Sequence, residues 1–217
     1  MRHQSLYYLL ASVLGLLLIG LLILSQSPRA PAAHAAPQQT HSLYLPLILR
    51  GCTQTQLIQD GSFEAGVPSP SWVTTSTVGS DLLDNSAIPS PNPTHSGTWK
   101  AWLGGQNAVQ ETLWQVIAVP AGSNLRVSFW LRVTTNEPNP LTTDWLDVQI
   151  RNTLSATLET LDTFWDGDAG TLWVQRVYTP TGNYAGQTIH LAFAAQTDNQ
   201  YSTDFFIDDV SVQICAP

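Results

Sequence analysis

One lysine, one methionine and two cysteines in 217 residues set the first limits on this chain. Eight basic residues stand against 16 acidic ones, a formal charge of −8. A surface so poor in cations cannot build the basic patches that hold nucleic acid or an anionic membrane. The catalytic residue types are equally scarce. Beyond residue 50 only His95 and His190 occur, and neither lies in a nucleophile or zinc motif. GxSxG, HExxH and a glycine-rich phosphate loop are all missing. Glu111, Glu137 and Glu159 lack the closely spaced acidic strand motif of jelly-roll glycanases, whose chemistry needs two carboxylates across a cleft. These absences favour a binding protein over an enzyme.

The first fifty residues read as export and linker sequence. Arg2 and His3 precede an uncharged run from Tyr7 to Leu24, and Ala33-His34-Ala35 supplies a small-x-small cleavage pattern. Residues 1–35 therefore read as a secretory signal peptide. An uncleaved membrane anchor is the rival, because roughly 18 apolar residues is close to the minimum for a span. Cleavage after Ala35 would remove Arg2 and Arg29, leaving six basic residues and a charge of −10. Residues 36–53 form a linker that includes HSLYLPLILR (His41 to Arg50), a sorting feature or an edge strand. A secreted or cell-surface location follows, with membrane contact only if the N-terminal segment stays attached.

Cys52 and Cys215 flank the remaining domain, residues 54–215. In an exported protein such an isolated pair reads as a disulfide. It would close a loop of about 160 residues, worth up to about 5 kcal/mol in the chain-entropy model, and it requires the two domain ends to lie side by side.

Within the domain the pattern is all-β. Val127, Phe129, Leu131 and Val133 alternate with Ser128, Trp130 and Arg132; Leu146, Val148 and Ile150 alternate with Trp145, Asp147 and Gln149; Ile189, Leu191, Phe193 and Ala195 alternate with His190, Ala192 and Ala194. Period-2 alternation marks half-buried antiparallel strands. Further strands are expected over 99–103, 113–119, 156–161, 172–178 and 205–212, separated by Gly, Pro and Asn turn clusters. No stretch carries a sustained helical period. The expectation is a two-sheet antiparallel β-sandwich, a jelly roll, preceded by the signal or anchor helix. Residues 69–93, rich in Ser, Thr, Asn and Pro, read as a surface excursion.

Two strings at opposite ends of the domain stand out: DGSFE (Asp60 to Glu64) and DFFIDDVSV (Asp204 to Val212). Asp208 and Asp209 are adjacent in a strand, where alternation lets only one face solvent. A charge on the buried side is costly unless it is paired or ligates a cation. With one lysine available, a structural Ca²⁺ shared by the two chain ends is the expectation.

The succession DGSFE, Trp72, SGTWKAWLGG, LWQVIAVPAGSNLRVSFWLRV, LWVQRVYTPTGNYAGQTIHLAFAAQ and FFIDDVSV resembles bacterial extracellular jelly-roll modules, galactose-binding-like and MAM-like, across about residues 54–214. These include carbohydrate-binding modules of cellulases and xylanases and domains at the ends of secreted peptidases. The resemblance implies a Ca²⁺ held by Glu64 and Asp209, with Asp208 the close alternative. It also implies that carbonyls near Gly61 or Ser62, and near Ser96 or Lys100, complete the oxygen shell that a hard cation prefers. A second acidic group, Asp162, Asp166 and Asp168, lacks the spacing of an EF-hand and reads as a solvated turn.

Eight tryptophans are many for this length. Trp173 reads as core, Trp72 and Trp102 match positions where the resembling modules bury an aromatic, and Trp165 is open to either reading. Trp114, Trp130 and Trp145 face away from the aliphatic rows. With Arg132, Asp147 and Gln149 they would give one sheet face the chemistry of a glycan cleft, stacking plus directed hydrogen bonds. The competing expectation is that the 69–93 excursion covers this face. The function expected is a non-catalytic module for a polysaccharide or cell-surface glycan. The alternatives are a protein-interaction or structural domain of MAM type, or an accessory domain of a secreted hydrolase.

Overall fold

The computed structural model describes residues 53–85, 93–139 and 142–216. Eleven strands run through them: β1 (Thr53–Gln56), β2 (Val73–Ser76), β3 (Leu83–Asp84), β4 (Lys100–Gly104), β5 (Gln110–Ala118), β6 (Asn124–Thr135), β7 (Trp145–Arg151), β8 (Thr157–Trp165), β9 (Val174–Tyr178), β10 (Thr188–Gln196) and β11 (Thr203–Ala216). A 3₁₀ turn, Asp166–Asp168, is the sole helical element among the described residues, where no helix is long and apolar enough to cross a membrane. The leader, all of the linker before Thr53, and Cys52 lie outside the described residues.

The strands form two antiparallel sheets. Sheet A has the order β3-β4-β11-β6-β9, with β1 also paired to β11, and sheet B the order β2-β5-β10-β7-β8. The chain changes sheet at every connection except β3 to β4 and β7 to β8, so the expected jelly-roll sandwich is what it forms. The aliphatic rows read from the sequence meet between the sheets. Phe129 of β6 sits fully buried among Phe164, Tyr178 and Phe193 at centroid distances of 6.3, 5.9 and 5.1 Å. Aromatic pairs at such spacings add to the burial of apolar area that holds a sandwich together.

The 69–93 stretch is less loop-like than its composition suggests. It supplies β2 to one edge of sheet B and β3 to one edge of sheet A. β-branched Val73, Thr74 and Thr75 suit a strand whatever their polarity. Short polar edge strands of this sort also close off ladders that would otherwise invite further pairing.

β11 carries the Asp-Asp pair, and a β-bulge accommodates it. Asp208 lies opposite Trp130 and Ser211 opposite Ser128, so β11 has one residue more than β6 over this interval. Asp209 takes the left-handed φ of 47° that the extra residue requires, a conformation Asp tolerates better than most residues. Phe205 and Ile207 are buried before the bulge, and Val210, Val212 and Ile214 after it. β1 pairs with the end of β11, Gln54 opposite Cys215. The two domain ends are therefore side by side, while the Cys52–Cys215 bond itself lies outside the described residues.

Candidate functional site

The acidic corner at the bulge holds a loop. Asp208, with no exposed surface, accepts hydrogen bonds from the backbone N–H groups of His95 (2.9 Å), Ser96 (3.0 Å) and Asp209 (2.7 Å). Asp209 accepts from the Ser96 hydroxyl at 2.7 Å and from His95 Nδ1 at 2.6 Å. Glu64 accepts from the amides of Thr98 and Trp99, both at 2.8 Å, and from the Thr98 hydroxyl at 2.9 Å. The Trp99 amide leads in holding the Glu64 carboxyl below its ordinary range. Burial pushes Asp208 up to about 6 against the pull of its three amides. Gly97 has φ 56°, and a Cβ there would run into the Glu64 carboxylate, so the loop needs glycine.

Glu64, Asp208, Asp209 and Ser96, four of the residues assigned to calcium, thus meet at one loop, and both carboxylate strings engage it. The donor chemistry fits a Ca²⁺ shell poorly. N–H and O–H groups aim their hydrogens at the carboxylates, where a hard cation needs oxygen lone pairs. The Gly61 carbonyl accepts from Val210 N at 2.8 Å. Ser62 stays within the DGSFE turn, and Lys100 is buried, with Nζ 2.6 Å from Asp84 and over the Phe206 ring. Among the described residues no three His, Cys, Asp or Glu side chains converge as a metal cluster.

The predicted ligand face does not exist as one surface. Trp130 and Arg132 belong to β6 in sheet A, whereas Trp114, Trp145, Asp147 and Gln149 belong to sheet B. Alternation tells inward from outward but says nothing about which sheet a strand joins. On sheet A the indole of Trp130 is covered: the His95 ring stacks on it at 3.9 Å and 18°. Arg132 lies beside buried Phe206, and its Nε is buried without a hydrogen bond. Trp173 is half-buried rather than core. It turns an edge to His95 and donates from Nε1 to the Pro93 carbonyl at 3.2 Å. Trp72 is buried as expected, but Trp102 is 39 % exposed, tilted against Phe206 and bonded to Asp204.

The outer face of sheet B is different. Strand register lays its outward residues out as a grid. Trp165, Trp145, Gln196 and Gln110 form one row; Thr163, Asp147, Ala194, Thr112 and Thr75 the next; Gln149, Ala192, Trp114 and Val73 a third; Arg151, His190 and Val116 a fourth. The middle strand, β10, contributes only methyl groups at its centre. Ala192 is covered by its neighbours, and Ala194 floors a trough between the β5 and β7 side chains. A cavity of about 200 Å³ opens there, lined by Thr112, Trp145, Asp147, Gln149, Arg151 and Ala194 among others.

On its β5 side the trough is lined by Gln110, Glu111 and Thr112, while Trp114 and the exposed Val73 and Val116 lie further along the same sheet face. The β7 side is a fixed polar ladder. Thr163 donates to Asp147 (2.7 Å), Gln149 Nε2 donates to the other Asp147 oxygen (3.1 Å), and Arg151 Nε donates to Gln149 Oε1 (2.8 Å). Trp145 and Trp165 pack at 5.9 Å at one end, which places Trp165 on the outer face. Burial depresses Arg151, and burial followed by the Arg151 charge depresses His190, so His190 is neutral at pH 7. Arg151, Ala192, Ala194 and His190 were absent from the sequence-based site. The alternating alanines on a strand flanked by polar rows were the available signal.

The remaining acids serve the fold. Glu111 is buried and accepts from Gly104 N and the Ser76 hydroxyl; Glu159 accepts from Thr181, Gly182 and Tyr184. Asp166 is buried, contrary to the solvated turn expected, and Asp162 lies in β8 accepting from Tyr178.

No family model and no curated protein matches the chain. Among solved structures, TmCBM61 in complex with β-1,4-galactotriose aligns with 73 % of this chain and 97 % of its own, at 18 % identity and a TM-score of 0.52. A Family 16 carbohydrate-binding module aligns with 72 % of this chain and 98 % of its own, at 17 % identity and a TM-score of 0.41. The Stig cyclase Fisc from Fischerella sp. TAU gives 76 %, 100 %, 11 % and 0.49. The last two scores are too low to carry an argument. The first is a likeness of fold: the β-sandwich here is one that a carbohydrate-binding module also adopts.

Proposed function

We propose that this domain is a non-catalytic carbohydrate-binding module of an exported protein, and that its saccharide lies along the alanine-floored trough of sheet B. The observation that carries the reading is an outward indole, Trp145, set beside a fixed polar ladder over the methyl group of Ala194. Trp114 and Trp145 offer faces to the C–H side of a pyranose, and Asp147, Gln149 and Arg151 offer a ladder of acceptors and donors to its hydroxyls. The likeness to a galactotriose-bound module supports the class of ligand but not its identity. The cavity is small beside the roughly 300–1,000 Å³ of pockets that enclose a drug-sized ligand, which suits a surface gripping a chain from one side.

A glycan array probed with the full chain, followed by calorimetric titration of the best ligand, tests this. Trp114→Ala and Trp145→Ala should each weaken binding about tenfold, and Trp130→Ala should leave it unchanged. Indifference to every glycan, or binding lost with Trp130 alone, would sink the assignment and leave the protein-interaction reading.

A structural Ca²⁺ at the Glu64 and Asp209 corner is a separate proposal. It competes with a corner held by hydrogen bonds alone, which the N–H and O–H donors favour. The two accounts part on chelation.

A further inference from the structure

Arg151 is the single arginine on the outer face of sheet B, and its side chain is fixed at one end and open at the other. Nε donates to Gln149, and the Thr157 hydroxyl reaches the same Gln149 oxygen at 3.0 Å, so the head group is held by a carboxamide that is itself anchored. Among the described residues the four Nη hydrogens have no protein acceptor and the guanidinium makes no ion pair. Acids outnumber bases two to one in this chain, yet the carboxylate that acts on Arg151, Asp147, does so through space and not by a direct contact. The nearest charge on the face is Asp147, whose two oxygens are occupied by Thr163 and Gln149. His190, the neighbour across the strand, has its proton affinity lowered and adds no charge at pH 7. Glu111 contributes to the cavity lining but is turned to Gly104 and Ser76.

A half-buried, oriented guanidinium with a free fork in a saccharide trough matches one ligand group better than any other. Two parallel N–H donors fit the two oxygens of a planar carboxylate, and the pair relieves the cost of holding the cation out of water. Asp147 and Arg151 stand four residues apart on one strand, about 13 Å between backbones. Over Ala194, the cavity beside Asp147, Gln149 and Arg151 leaves space for a ring whose acidic end points to Arg151 and whose hydroxyl end points to Asp147.

Resting on the saccharide reading above, we infer that the trough is selective for an acidic glycan, with the carboxylate of a hexuronate residue seated on the Nη groups of Arg151.

The experiment uses the full chain and a panel of glucuronate, galacturonate and mannuronate oligosaccharides, each beside its methyl ester, with a sulfated galactan and neutral galactan as further arms. Esterification removes the charge and keeps the ring. At least one acid should bind about 10- to 100-fold more tightly than its ester, the worth of a charge-assisted hydrogen-bond pair. Arg151→Gln should abolish that difference by weakening the acid far more than the ester, and the melting temperature of the variant reports that it is folded. Esters or neutral galactan binding as well as the acids would overturn the charge selectivity and leave the saccharide reading standing. Preference for the sulfated galactan over every uronate would overturn the carboxylate assignment. Failure of the whole panel, together with a blank array, would overturn both.

Discussion

Trp130 and Trp114 occupy corresponding places. Each is an outward indole on a strand next to an edge, β6 between β11 and β9, and β5 between β10 and β2. They differ in what lies opposite. Asp208 stands across from Trp130, and Ala192 across from Trp114. The buried carboxylate gathers the amides of a loop, and the loop lays His95 on the indole. The alanine gathers no loop, and Trp114 stays half-buried on the sheet face next to the trough. One cross-strand neighbour thus decides whether an outward aromatic becomes a second layer of packing or a surface. Alternation is the same on both sheets and cannot make that distinction.

Removing the carboxylate on sheet A should break the comparison most severely. Asp208→Ala leaves three partly buried N–H groups without their acceptor and is expected to cost about 3 kcal/mol in urea unfolding. Its remaining folded fraction should show red-shifted, acrylamide-quenchable tryptophan emission as Trp130 is uncovered. Glu64→Ala frees the far end of the same loop, where the carboxylate is exposed, and should cost a smaller amount, about 1–2 kcal/mol. With hydrogen bonds alone at this corner, EDTA should leave the melting temperature of the wild-type chain unchanged; a clear fall that added Ca²⁺ reverses would restore the calcium account.

On sheet B the effects should appear in binding and hardly in stability. Filling the trough with Ala194→Leu should abolish glycan binding while shifting stability by no more than about 1 kcal/mol, since the side chain projects outward. Loss of binding accompanied by a collapse in stability would mean that the floor is packing and not surface. The smallest effect concerns His190. Its proton affinity in the folded chain is depressed by burial and by Arg151, so below about pH 6.5 the unfolded chain takes up the proton first. Stability from this group is present above pH 6.5 and declines as pH falls. His190→Gln should flatten that decline, measurable as a narrower gap between melting temperatures at pH 7.5 and pH 5.5.

Much of the sandwich was legible in the sequence because its strands alternate cleanly. The rows through Phe129, Val148 and Phe193 are buried as read. The assignment of strands to sheets was not legible, and it divided the six-residue ligand face in two. Trp145, Asp147 and Gln149 kept their company because they share one strand. Arg132 lost it because β6 and β7 part to different sheets. The edge strands β2 and β3 were hidden by polar composition. At the acidic corner the sequence identified the residues that meet. The donors they meet are backbone amides, which carry no residue-type signal. The half-buried state of Trp173 also depends on a contact, with His95, that comes from a distant loop.

The extra residue at Asp209 has a further consequence. Phe205 and Ile207 enter the core on odd-numbered positions of β11, and Val210, Val212 and Ile214 on even-numbered ones. The last strand is therefore two reading frames joined at one aspartate. A single-residue deletion on either side would turn one half inside out, whereas deletion of Asp209 itself would merge the frames at the cost of one arm of the loop's tether. Length changes in this strand should be tolerated at one position only.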